Sequence, residues 1–124
     1  MSNSCCGGKS LIFACSGAAD VGAIADRAAR KLTLQGTGKM FCLAGVGGRV
    51  PGIMKTTQGA EQVLAIDGCP LNCVRNCLEQ AGITGFSHLQ LAGIGMEKGG
   101  TPANDENVNK AVVEAEKIMR GESD

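Results

Sequence analysis

Three of the seven cysteines fall at intervals of four, as Cys69, Cys73 and Cys77. Thiols in such a run can hold a soft metal ion, act as nucleophiles or exchange disulfides. They follow the short apolar run Val63-Leu64-Ala65-Ile66 and the pair Asp67-Gly68, which reads as a strand covered on both faces and then a sharp turn. Pro70 suits the first position of a helix, where its missing amide costs nothing. Cys69 is therefore the expected N-cap, at the positive end of the helix dipole, where a thiolate is favoured. At about 100° per residue, Leu71, Val74, Leu78 and Ala81 share one stripe, Cys69 and Cys73 lie on another flank, and Cys77 drifts toward the core. Cys77 then fits a small buried hydrophobe. Along a continuous helix Cys69 and Cys77 stand roughly 12 Å apart. Zn–S bonds of about 2.3 Å do not close that gap, so at most two of the three share an ion, with Cys69 and Cys73 the expected pair.

The elements around this stretch alternate. Ser10 to Cys15 reads as a first strand, and Ser16-Gly17-Ala18-Ala19-Asp20 as a turn with Asp20 as helix cap. Val21, Ile24, Ala25, Ala28 and Leu32 follow at helical spacing up to Gly36. Lys39 to Ala44, carrying Cys42, reads as a second strand, with Gly45-Val46-Gly47-Gly48 as a loose turn. A short helix is expected from Pro51 to Gly59, a fourth strand from Ser87 to Ala92, and a last helix from Asp105 to Arg120. No internal repeat is evident. The pattern predicts a single α/β domain over residues 10–124, a three-layer Rossmann-like fold with a mainly parallel four-stranded sheet and helices on both faces. Residues 1–9 read as a polar, glycine-rich tail holding Cys5 and Cys6. Ligands in such folds gather beyond the carboxyl ends of the strands. Cys15 ends the first strand, Cys42 lies near the end of the second, and Cys69 and Cys73 follow the third. Four thiols from distant positions thus meet at one edge.

Composition narrows the function. Twelve basic and twelve acidic residues cancel, and no basic block occurs, which argues against nucleic acid or an anionic membrane as partner. Only three aromatics are present, too few for base-stacking platforms. The apolar run Leu11 to Cys15 is too short for a secretory core or a membrane span. The expected compartment is reducing cytoplasm, where clustered cysteines serve metal or redox chemistry rather than disulfides.

The segments Cys15-Ser16-Gly17-Ala18-Ala19-Asp20-Val21-Gly22, Lys39-Met40-Phe41-Cys42-Leu43-Ala44-Gly45 and Ile66-Asp67-Gly68-Cys69-Pro70-Leu71-Asn72-Cys73 resemble the DGC family. That family is named for its Asp-Gly-Cys motif and described as zinc-binding. The likeness runs from Leu11 to about Lys98. It implies Cys15, Cys42, Cys69 and Cys73 as the metal cysteines and implies no established reaction. Cys5, Cys6 and Cys77 fall outside it.

The expected chemistry is a four-thiolate zinc site, closed to water and structural, metal-handling or sensing in role rather than catalytic. The dipole of the helix after Gly68 and the amides of Gly45, Gly47 and Gly68 could offset its formal charge of about −2. An iron–sulfur or thiol-redox module is the alternative, although Cys-x3-Cys-x3-Cys does not match ferredoxin runs. A third reading is a thiol phosphatase or sulfurtransferase, because Cys69 to Arg75 spells Cys-x5-Arg after a strand. Pro70 and the short loop weigh against it, and no general acid stands out. Gly8-Lys9-Ser10 fails the phosphate-loop pattern, and the glycines at 45 and 93 fall short of Gly-x-Gly-x-x-Gly. His88 is expected to be partly buried and hydrogen-bonded, and Asp67 to accept backbone amides or support the metal shell. The methionines read as gap-fillers. The last helix packs on the sheet or supports a homodimer.

Overall fold

The computed structural model describes residues 9–121. Four strands, β1 (Ser10–Ala14), β2 (Lys39–Met40), β3 (Gln62–Asp67) and β4 (Ser87–Gln90), form one sheet in the order β2-β1-β3-β4. Every pairing is parallel. Parallel neighbours need crossovers, and helices supply them: α1 (Asp20–Leu34) joins β1 to β2, α2 (Leu43–Gly47) and α3 (Pro51–Gln58) join β2 to β3, and α4 (Cys73–Gln80) joins β3 to β4, while a 3-10 turn at Leu91–Ile94 and α5 (Asp105–Met119) follow β4. This is the α/β three-layer arrangement that the alternation predicts.

Strand alternation divides the core in two. Ile12, Ala14, Leu64 and Ile66 point to the face covered by α1 and α5, where they meet Ile24, Ala28, Leu32, Val108, Ala111 and Ala115. Leu11, Phe13, Val63 and Ala65 point to the other face, against Val46, Val74 and Leu78 of α2 and α4. The stripe predicted for the first helix is buried at Val21, Ile24, Ala25, Ala28 and Leu32, and the last helix buries Val108, Ala111, Val112 and Ala115, with Ile118 and Met119 half-buried. Among the described residues no helix is long and apolar enough to cross a membrane.

Three local expectations are corrected. β2 is only two residues long, because Cys42 caps α2 and the expected loose turn at Gly45–Gly48 is instead that short helix and its C-cap. Gly45 permits it, since a Cβ there would lie 2.4 Å from Ile53 Cδ1. β4 ends at Gln90 and passes into the 3-10 turn. The helix after β3 begins at Cys73, not Pro70. Asn72 adopts a left-handed conformation (φ 54°), which breaks any helix running back to Pro70. Leu71, assigned to the buried stripe by the continuous-helix reading, is consequently 66% exposed.

Candidate metal and thiol site

The sheet order places β1 between β2 and β3, so the chain leaves β1 toward one edge and later returns to its other side. The gap beyond the ends of β1 and β3 is the topological switch point at which α/β sheets bind ligands. Cys15 and the Asp67-Gly68-Cys69 segment border it.

On the β1 side, the ladder runs one residue past the strand, with the Cys15 amide donating to Ile66 O at 3.1 Å. Ser16 (φ 57°) and Gly17 (φ 93°) are both left-handed and turn the chain sharply into α1. The turn folds back so tightly that a Cβ on Gly22 would lie 2.2 Å from Ser16 O. Ala19 is the N-cap of α1, without a side-chain bond, and Asp20, expected as the cap, is the first helical residue. Its carboxylate accepts from the amides of Val21 (2.7 Å), Gly99 (3.0 Å) and Thr101 (3.1 Å). The Gly99 and Thr101 amides hold its pKa below the usual carboxylate range.

On the β3 side, each residue of Asp-Gly-Cys has a separate task. Asp67 is 1% exposed and accepts from the amides of Val74 (2.8 Å) and Arg75 (3.1 Å). It thereby caps α4 from across the turn, in place of Asn72, whose side-chain oxygen instead accepts from Gln90 Nε2 at 2.7 Å. Asp67 Oδ2 also pairs with His88 Nε2 at 2.9 Å, so both residues have the hydrogen-bonded roles expected of them. Gly68 is glycine because a Cβ would lie 2.8 Å from the carbonyl carbon and oxygen of Val21 on α1. Its amide donates to Cys15 Sγ at 3.3 Å. Cys69 sits in a turn closed by Asn72 N to Cys69 O at 3.3 Å, not at a helix cap. Cys73, one residue into α4, occupies the positive end of the dipole instead.

Cys15, Cys69 and Cys73 line one cleft of about 330 Å³ together with the Ser16–Ala19 turn, Gly68, Leu71 and Lys98. Burial raises the Cys15 pKa, opposed by the Gly68 amide and reinforced by charge on Asp67, Cys69 and Cys73. Cys42 stands on the far side of Cys15, after edge strand β2, where its exposed sulfur accepts from Gly45 N at 3.2 Å. It is not among the residues of the cleft wall. Cys77 packs into the second core cluster, its sulfur 3.9 Å from Leu43 O. Burial raises its pKa, with Arg49 opposing. Cys5 and Cys6 lie outside the described residues. Among the described residues, no three Cys, His, Asp or Glu side chains are grouped so that they could hold one metal ion.

The Cys-x5-Arg reading lacks its anion cradle. The Val74 and Arg75 amides, which would face an anion, are committed to the Asp67 carboxylate. The Arg75 guanidinium is directed to Glu79, 3.4 Å away, in a separate groove with Phe86 and His88. A groove of about 840 Å³ along α5 and the loop before it has no cysteine among the described residues of its walls. Lys98 escaped the sequence reading because the bonds that place its loop join residues 79 and 81 positions apart. Only the glycines around it hinted at a fixed turn.

A family model for the DGC domain matches residues 11–115. The chain is also 34% identical over 110 residues to the anaerobic and virulence modulator AnvM of Pseudomonas aeruginosa (strain PAO1), covering 88% of this chain and 84% of that protein. No solved structure matches. With the motif, its three structural tasks and the matched span in agreement, the chain belongs to the DGC domain family.

Proposed function

We propose that this protein binds a thiophilic metal ion, zinc first, through Cys15, Cys42, Cys69 and Cys73, in a structural, metal-handling or sensing role. The observation that carries this reading is the gathering of Cys15, Cys69 and Cys73 around one cleft at the switch point, with Cys42 following the adjacent strand. Thiolates suit zinc, and amide N–H groups directed at sulfur are the supporting contacts such a site needs. Gly68 and Gly45 already direct amides at Cys15 and Cys42. Adjacent strands are about 4.8 Å apart, so drawing thiols from the ends of β2, β1 and β3 onto one ion requires the Gly68–Asn72 turn and Cys42 to move inward. Zinc itself would supply a closed, redox-inert charge centre. The chain's own residues would hold the four sulfurs, with Asp67 fixing α4 behind them. AnvM is named a modulator, which is in keeping with a sensing role.

Zinc competition against a chromogenic chelator tests the assignment. Serine at 15, 42, 69 or 73 is expected to weaken zinc by about tenfold or more, whereas Cys77→Ser leaves it unchanged. Equal affinity across all five variants would remove the four-cysteine set.

A further inference from the structure

Among the described residues, Lys98 contributes the sole cationic side chain on the walls of the thiol cleft. It is exposed and makes no hydrogen bond or ion pair among the described residues. Its backbone is nevertheless held on both sides. Met96 is buried at 4% exposure, Gly99 and Thr101 donate to Asp20, and Thr101 Oγ1 donates to Glu97 O at 2.8 Å. An unpaired lysine on an anchored loop keeps its positive charge within a side chain's reach of the cleft. Leu71 adds an exposed apolar wall to the same cleft. Charge, apolar surface and thiols are the three elements that recognise a small organic anion bearing sulfur.

We propose that the cleft admits small thiol-directed ligands carrying a carboxylate or similar anionic group, with Lys98 taking the anion and Cys69 or Cys73 meeting the sulfur. This rests on the reading that Cys69 and Cys73 are metal-binding thiols, and it concerns the metal-free chain, in which their sulfurs are uncoordinated. With a disulfide ligand, the protein thiolate attacks one ligand sulfur and forms a protein–ligand S–S bond. The ligand's own S–S bond breaks, and its other half leaves as a thiolate with the electron pair. One disulfide is consumed and one is made, so no outside oxidant is needed.

The test uses the full metal-free chain and two disulfide probes, dianionic dithiobis(nitrobenzoate) and neutral dithiodipyridine. Rates are assigned to individual cysteines by peptide mass mapping. The ratio of anionic to neutral rates at Cys69 and Cys73 is expected to fall about three- to tenfold in Lys98→Met, to persist in Lys98→Arg, and to shrink in raised salt. Asp20→Asn, which loosens the loop, should fall between. The ratio at Cys42 serves as the control and stays constant. An unchanged ratio in Lys98→Met, an equal change at Cys42, or no labelling of Cys69 and Cys73 by either probe overturns the proposal. Zinc content, measured on the same preparations, separately reports on the metal reading.

Discussion

Asp67 holds three partners with one carboxylate that water scarcely reaches: the amides of Val74 and Arg75, which donate to it, and the His88 ring, which pairs with it. Leaving buried donors unmet costs more than a hydrogen bond contributes, about 1–3 kcal/mol each. Asp67→Ala is therefore expected to destabilise the fold by about 3 kcal/mol, read as a lower urea midpoint with an unchanged slope. Asp67→Asn, which keeps one acceptor for Val74, should lose about half as much. The half-buried thiols make a prediction about pH. Cys15 and Cys77 have folded pKa values raised above the ordinary 9.0, in both cases chiefly by burial. The folded chain therefore favours the protonated thiol. That stabilising contribution is complete below the unfolded value and is lost as pH rises through the folded one. The melting temperature of the metal-free chain should accordingly decline above a pH of about 9, and a Cys15→Ser, Cys77→Ala double variant should decline less steeply. An equal decline in both chains would assign the effect to other groups.

Between β3 and α1, two backbones approach so closely that a methyl group does not fit. Gly68→Ala would place a Cβ 2.8 Å from the Val21 carbonyl, and a helix backbone cannot yield as a side-chain tip does. The expected cost is about 2–3 kcal/mol. By contrast, Gly17→Ala meets nothing within 4 Å and carries only the strain of its φ of 93°, about 1 kcal/mol. Urea titration of both variants checks the ordering, and the reverse order would contradict the packing account. The same elements show which features could be read from the chain. β1, β3, α1 and α5 were legible because their apolar spacing is decided locally. The start of α4 was not, since a carboxylate five residues upstream of the N-cap sets it, and Asn72 turns left-handed where Pro70 suggested a continuous helix. The gathering of Cys15, Cys69 and Cys73 followed from strand ends alone. The position of Cys42 outside the cleft wall depended on β2 ending four residues early, at Met40, and giving way to a short helix.

At the scale of the whole molecule, the order β2-β1-β3-β4 brings the ends of three neighbouring strands, and the cysteines that follow them, to one edge. The sheet is buried from both faces by separate helix layers. A metal that binds only the folded chain adds its binding free energy to folding, so zinc should raise the melting temperature and chelation should reverse the gain. The four-cysteine metal site is tested most directly by elemental analysis with a visible spectrum on anaerobically purified protein, repeated for Cys73→Ser. About one zinc per chain, no colour, and loss of zinc in the variant are expected. Iron with sulfide and a brown absorbance would move the site to iron–sulfur chemistry. A native chain that holds no metal after anaerobic purification, or a Cys73→Ser chain that keeps its zinc, would contradict a four-cysteine zinc site.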